Sequence, residues 1–155
     1  MAHKIETRLE EAGITLPAAA APAANYVSYV RYGSLIQTSG QLPMENGALA
    51  VTGKLGGSVS LDDGQRAAKL CAINILAQAK AAVNGDFDKI GRLLKLTVFV
   101  ASEPSFVEQH TVANGASDFL VEILGELGHH SRSAVGVPSL PLDAAVEIEA
   151  LFELA

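Results

Sequence analysis

The chain has 155 residues and a mass of 16.1 kDa, a size that fits one domain. Hydrophobic residues make up 49% of it and charged residues 18%, which excludes a disordered chain because such chains are poor in apolar residues and rich in charge. Eleven basic residues against 17 acidic ones give a net charge of −6, which argues against a dedicated nucleic-acid-binding protein because phosphate groups would be repelled.

The first part of the chain predicts a helix, a linker and a hairpin. Apolar residues at helical spacing predict a short helix over residues 3–12, and small residues between prolines predict an extended linker that reaches residue 24. Aromatic and β-branched residues on both sides of a Gly-Ser turn predict a β-hairpin with strands over residues 26–32 and 35–39. A loop and a short strand over residues 49–51 follow.

The remainder predicts two long helices and three further strands. Ser60 followed by Asp63 predicts the N-cap of a helix that ends near residue 83, and Pro104 predicts the first turn of the next helix. Strands are predicted over residues 93–101, 131–137 and 145–154. This order favours an α+β fold with helices on one face of a mixed sheet. The open face would carry Phe99 and Leu151, and self-association is the simplest way to cover it.

Several classes of protein are excluded by what the sequence lacks. Cys71 is the single cysteine, so neither an internal disulfide nor a zinc site built on paired cysteines is expected. No apolar run approaches the ~20 residues that cross a bilayer, and the charged N-terminus lacks the apolar segment of a secretory signal. We therefore expect one cytoplasmic domain over residues 1–155 that binds neither a membrane nor nucleic acid.

Most of the potentially reactive side chains favour structural roles. Cys71 lies on the apolar stripe of a predicted helix, which favours a buried thiol over a nucleophile. His129 and His130 precede a strand, where adjacent side chains point to opposite faces and cannot easily share one metal ion. An exposed loop pair is the simpler interpretation of these histidines, and a polar rim to a pocket is the alternative. No metal site is predicted.

Arg132 stands out because it lies in a predicted strand of small residues. A guanidinium with small neighbours leaves space for a ligand, and its fork can hold a carboxylate through two parallel hydrogen bonds. The alternative is a structural ion pair with Glu147 or Glu149 of the last strand, and strand physics favours neither reading.

Glu147 and Glu149 share one face of the last predicted strand. Two such carboxylates repel unless they are solvated, paired or partly protonated, so the pKa of Glu147 is expected to be raised by Glu149. A pair of this kind can position water or move protons. Without further context, a hydrated surface or a link to Lys95 on a neighbouring strand is the simpler interpretation.

An ordered set of motifs covers about residues 25–152. The motifs are Tyr26-Val27, Leu35-Ile-Gln-Thr-Ser-Gly-Gln-Leu-Pro43, Leu96-Thr-Val-Phe-Val100, Arg132-Ser133, Leu140-Pro141 and Val146-Glu-Ile-Glu-Ala150. Together they resemble the Rid (reactive intermediate deaminase) family, also called the YjgF or L-PSP endoribonuclease family. The resemblance implies a chorismate-mutase-like fold with a six-stranded mixed sheet and two main helices on one face, to which the short N-terminal helix is added. It also implies a homotrimer with ligand clefts between subunits.

The resemblance further implies hydrolysis of enamines and imines such as 2-aminoacrylate to a 2-keto acid and ammonia, without a cofactor. By position, Arg132 would hold the carboxylate of a small metabolite and Glu147 would orient the hydrolytic water. The backbone N–H of Gly40 and the side chain of Tyr26 would line the cleft.

The chain departs from typical Rid members at several positions. Ala134 stands at a substrate-binding position where they have Cys, and their pocket Asn aligns with either Ala113 or Asn114. The extension over residues 1–24 and a Gly-rich segment from residue 55 indicate the longer Rid-related subgroup. Two other functions stay open: a module that binds a small carboxylate without turnover, and an endoribonuclease, against which the net charge argues.

Overall fold

The computed structural model of the chain describes residues 2–155, with side chains from residue 4 onward. The helices are α1 (Ala2–Glu11), α2 (Leu61–Ala82) and α3 (Gln109–Leu124). The strands are β1 (Tyr29–Tyr32), β2 (Leu35–Thr38), β3 (Met44–Glu45), β4 (Ala48–Leu49), β5 (Ile90–Ala101), β6 (Ser131–Val137) and β7 (Val146–Leu154). Within the described residues, no helix combines the length and the apolar character needed to cross a membrane.

Five strands form the main sheet in the order β1-β2-β7-β5-β6. Only β5 and β6 run parallel, so the sheet is mixed as predicted. The expectation of six strands is wrong for this sheet, because β3 and β4 pair with each other instead. Asn46 and Gly47 join these two strands with φ angles of 53° and 80°, the left-handed pair that a tight hairpin turn requires.

Side chains alternate between a face packed on α2 and α3 and an open face. Leu96 of β5, Ile148 and Ala150 of β7 belong to the packed face and are buried. Phe99 and Leu151 occupy the open face and are only half-buried. The α+β fold with helices on one face of the sheet is therefore confirmed.

The two long helices begin differently from one another. The Ser60 side chain accepts a hydrogen bond of 3.1 Å from the backbone N–H of Asp63, which confirms the predicted cap of α2. The predicted start of α3 at Pro104 is wrong, because α3 begins at Gln109. Just before Pro104, the N–H of Ser102 donates to the Val137 carbonyl and the N–H of Glu103 donates to the Leu55 carbonyl. These hydrogen bonds hold residues 102 and 103 in an extended conformation, so the helix begins later.

Helix α3 approaches α2 closely at Gly115. A Cβ atom on Gly115 would lie 2.8 Å from Cα of Gln65, whose side chain also donates to the Thr111 carbonyl at 2.9 Å. We expect Gly115→Val to lower the free energy of unfolding by about 1–3 kcal/mol, because backbone atoms cannot move aside as a side chain can. Ala81→Val at an exposed position of α2 is the control, and urea denaturation is the measurement. Equal losses in the two variants would contradict the close approach.

Candidate functional site

Arg132 lies on β6 with its side chain docked on α3. Nη1 donates to Asn114 Oδ1 at 2.9 Å and to Ser117 Oγ at 3.1 Å, and Nη2 donates to the backbone carbonyl of His110 at 3.1 Å. All three acceptors are neutral. The positive charge of Arg132 is therefore oriented by these contacts without being neutralised by them.

The ion-pair interpretation of Arg132 is wrong for the described part of the chain. Strand β5 pairs with both β6 and β7, and its Leu96 lies beside Arg132 on one side and Ala150 on the other. Neighbouring residues of paired strands share a face, so Arg132 belongs to the helix-covered face. Glu147 and Glu149 pair with Phe99 and Thr97 and belong to the open face.

The docked guanidinium keeps two donors for a ligand. Arginine carries five N–H groups, and α3 uses two on Nη1 and one on Nη2. The Nε–H and one Nη2–H of Arg132 remain, and this pair suits side-on binding of a carboxylate. Ala134 follows two residues later on the same face, and its small side chain leaves room there.

Asn114, and not Ala113, is the residue of α3 that contacts Arg132. Ala113 is fully buried in the core, whereas Asn114 is half-buried one residue later on the helix. Sequence reasoning missed Ser117, although its spacing gave a signal. Residues three apart on a helix share a face, so a polar side chain that follows Asn114 by one turn can join the same contact.

The two adjacent histidines differ in environment. His130 is half-buried, with Nδ1 2.6 Å from the Gly128 carbonyl and Nε2 2.9 Å from Ser117 Oγ. Burial lowers the pKa of His130; the Gly128 carbonyl opposes this, and the charges of Arg132 and His129 lower the pKa further. His129 is exposed, so the interpretation as an exposed pair holds for His129 alone.

Glu147 lies against Gly40 on the open side of the sheet. A Cβ on Gly40 would lie 2.8 Å from Cδ of Glu147, so the glycine leaves space for the carboxylate. Reciprocal backbone hydrogen bonds between Gln41 and Ile148, of 2.7 and 3.0 Å, hold the two segments together. Burial raises the pKa of Glu147, and the charge of Glu149 raises it further. The expected direction is confirmed, with burial as the larger cause.

One chain brings the predicted site residues together only in part. Arg132 and Asn114 meet at the β6 edge of the sheet, and Glu147 and Gly40 meet on the open face. Tyr26 precedes β1 at the opposite edge, where it is 48% exposed and its hydroxyl accepts from the N–H of Ala23 at 3.3 Å. Within one chain these residues therefore form three separate groups.

Known proteins resemble this chain along almost its whole length. Residues 6–154 match the family described as "YjgF/chorismate mutase-like, putative endoribonuclease". A 2-iminobutanoate/2-iminopropanoate deaminase from Salmonella typhimurium is 34% identical over 135 residues, which are 87% of this chain and 89% of that protein.

Solved structures show the same fold. A protein of unknown function from Agrobacterium tumefaciens is 56% identical, with a TM-score of 0.93 over 99% of this chain and 94% of that chain. The TdcF protein of E. coli, solved with bound serine, is 27% identical, with a TM-score of 0.65 over 91% of this chain and 96% of that chain. The chorismate-mutase-like fold is thus confirmed.

Proposed function

We propose that this chain, which belongs to the YjgF/chorismate mutase-like family, hydrolyses reactive imines and enamines that carry a carboxylate. The products are a 2-keto acid and ammonia. The observation that carries the proposal is the docked Arg132, whose charge is not neutralised and whose two remaining N–H groups suit a carboxylate. The deaminase from Salmonella typhimurium is named for imino acids of this class, and serine, the ligand of TdcF, also carries a carboxylate.

The proposed chemistry needs positioning more than activation. Arg132 holds the carboxylate, which places the electrophilic imine carbon beside a water molecule. Glu147 accepts a proton from that water as the water oxygen bonds to the carbon of the protonated imine and the C=N electron pair moves to nitrogen. The Glu147 carboxyl then returns its proton to the amino nitrogen of the resulting carbinolamine. The C–N bond breaks as the carbonyl forms, and the departing ammonia takes up the hydroxyl proton and leaves as ammonium. Because the pKa of Glu147 is raised, its carboxylate is a stronger base than an ordinary one, and the acid form can return the proton.

We further infer that the complete site lies between subunits of a homotrimer. Arg132 and Glu147 belong to opposite faces of one sheet, and three strands separate β6 from β1, the strand that Tyr26 precedes. The open face also exposes apolar side chains, with Val135 44% exposed beside Phe99. Association through that face would bury these residues and bring the separated groups of different copies together.

The first test uses Arg132→Met and an imino acid generated in situ by an amino acid oxidase. We expect the wild type to form 2-keto acid faster than the spontaneous reaction. We expect the variant to lose about 10²-fold or more in kcat/KM, because each hydrogen bond to a charged group contributes about 1.5–3 kcal/mol. Arg66→Met, which removes only an exposed ion pair with Glu45, is the control. Equal kcat/KM in Arg132→Met and wild type would contradict the role of Arg132.

A second candidate function is a module that binds a small carboxylate without turnover. One observation favours this binding function. Within one chain the guanidinium of Arg132 is already oriented for a carboxylate, while Glu147, the proposed base, is on the other face of the sheet. Titration calorimetry with 2-ketobutyrate, combined with the turnover assay, separates the two functions. Binding that Arg132→Met abolishes, with no turnover of any imino acid tested, would favour the module.

A further inference from the structure

A chain of three hydrogen bonds connects the Gly128 carbonyl to Arg132. It runs from that carbonyl to His130 Nδ1 over 2.6 Å, from His130 Nε2 to Ser117 Oγ over 2.9 Å, and from Ser117 Oγ to Arg132 Nη1 over 3.1 Å. The proposed hydrolysis uses Arg132 but leaves His130 and Ser117 without a role.

The chemistry of the end groups fixes the direction of every hydrogen bond. A carbonyl oxygen only accepts, so Nδ1 of His130 carries a proton and donates to Gly128. A guanidinium only donates, so Ser117 Oγ accepts from Arg132. The hydroxyl proton of Ser117 is then free to point at Nε2, which in neutral imidazole is an acceptor. The chain is fully satisfied when His130 is neutral.

We propose that His130 is a positioning residue, whose neutral form holds Arg132 through Ser117 in the orientation that binds the substrate carboxylate. The inference rests on the proposed function, because it assigns to His130 the control of carboxylate affinity at that same site. His130 itself need not touch the substrate, since its effect passes through the Ser117 hydroxyl.

Protonation of His130 would disrupt this arrangement. Nε2 would become a donor, so Ser117 Oγ would face donors from two cations, and its own proton would lose its acceptor. The groups around the imidazole offer no compensation: β6 presents Arg132, the preceding loop presents His129, α3 presents the neutral Ser117, and the turn at residues 125–128 presents the neutral Gly128 carbonyl. Because Ser117 Oγ would then face both cations, the hydrogen bond that holds Arg132 Nη1 on α3 would weaken.

The direction of the pH dependence follows from these neighbours. The pKa of His130 is lowered, so the neutral, docked form persists at neutral pH and is lost only as the solution becomes acidic. The KM for the imino acid should accordingly rise by about fivefold or more below the midpoint of His130, the size of a typical coupling between two sites. The kcat should not follow the same midpoint, because His130 does not act on the reacting atoms.

Three variants separate the steps of this coupling. His130→Gln keeps an acceptor for Ser117 but cannot be protonated, so its KM should stay low across pH 5–8. His130→Lys carries a permanent charge, so its KM should be high throughout. Ser117→Ala breaks the link, so KM should no longer follow His130. His129→Gln, at the exposed neighbour, is the control: it should preserve the rise in KM even if the midpoint moves slightly upward.

A spectroscopic measurement makes the test independent of turnover. In the wild type without substrate, the NMR shift of Arg132 Nε should change with the imidazole titration of His130. That change should disappear in Ser117→Ala, although His130 still titrates. If Arg132 does not respond to His130 in the wild type, or if His130→Gln and His130→Lys share one KM profile, the inference is wrong. Coupled NMR titrations in a protein without deaminase activity would instead preserve the positioning role and reject the proposed function.

Discussion

Glu147→Gln is expected to lower kcat for imino acid hydrolysis by about 10²- to 10⁴-fold, the usual contribution of a positioned acid or base. The amide keeps the shape of the side chain beside Gly40 but cannot accept the proton of the attacking water. KM should change little, because Arg132 and not Glu147 holds the carboxylate. Steady-state assays at several pH values provide the measurement.

Glu153→Gln is the matched control, since Glu153 is exposed farther along β7. Its kcat should equal that of the wild type. A Glu147→Gln variant with wild-type kcat would show that the water is activated by another group, while a rise in KM alone would assign Glu147 to substrate binding.

Glu147→Gln should be more stable than the wild type at neutral and alkaline pH, which separates lost catalysis from lost folding. The pKa of Glu147 is raised in the folded chain, so the folded state holds this proton more tightly than the unfolded state does. The associated stability is fully present below the ordinary pKa of the carboxyl and is lost as the pH rises through the folded pKa. Glu147→Gln removes that loss. Urea denaturation from pH 4 to 8 should therefore show a flatter stability profile for the variant.

The secondary structure followed closely from local patterns. Strand β6 occupies the predicted residues 131–137, and exposed and half-buried side chains alternate from Ser131 to Val135, as the period of two along a strand requires. The Ser60 cap fixed the start of α2 by a contact that spans only three residues. The prediction for the start of α3 was wrong because the backbone N–H groups of Ser102 and Glu103 donate to the carbonyls of Val137 and Leu55. Both acceptors are distant in sequence, so no local pattern indicates these hydrogen bonds.

The site residues were predictable as types but not as an arrangement. The alternation of side chains along a strand predicts that Glu147 and Glu149 lie on one face of β7. Whether Arg132 lies on that same face of the sheet depends on the register of β6 and of β7 against β5. A shift of one residue in either pairing would have reversed that result. The contact between His130 and Ser117 has no local signal at all, because it depends on how the turn after α3 returns the chain to the helix.

The trimer is tested by placing a charge on the open face of the sheet. Val135 is 44% exposed and lies in register with Phe99, which in turn pairs with Glu147. In an isolated subunit, Val135→Asp places the carboxylate in water, so the fold should be retained. In an assembly that covers this face, the same carboxylate would be buried without a partner near Glu147, which is strongly unfavourable.

We therefore expect Val135→Asp to sediment with the 16.1 kDa mass of a single chain, and the wild type with three times that mass. Val107→Asp makes the same substitution at a position that is 73% exposed in the connection before α3, and it should remain associated. Because Arg132 and Glu147 belong to opposite faces of the sheet in one chain, the proposed site needs residues of two copies, and the dissociated variant should also lose turnover. A monomeric wild type would contradict the trimer. A Val135→Asp monomer with full turnover would preserve the association surface but show that one chain carries the complete site.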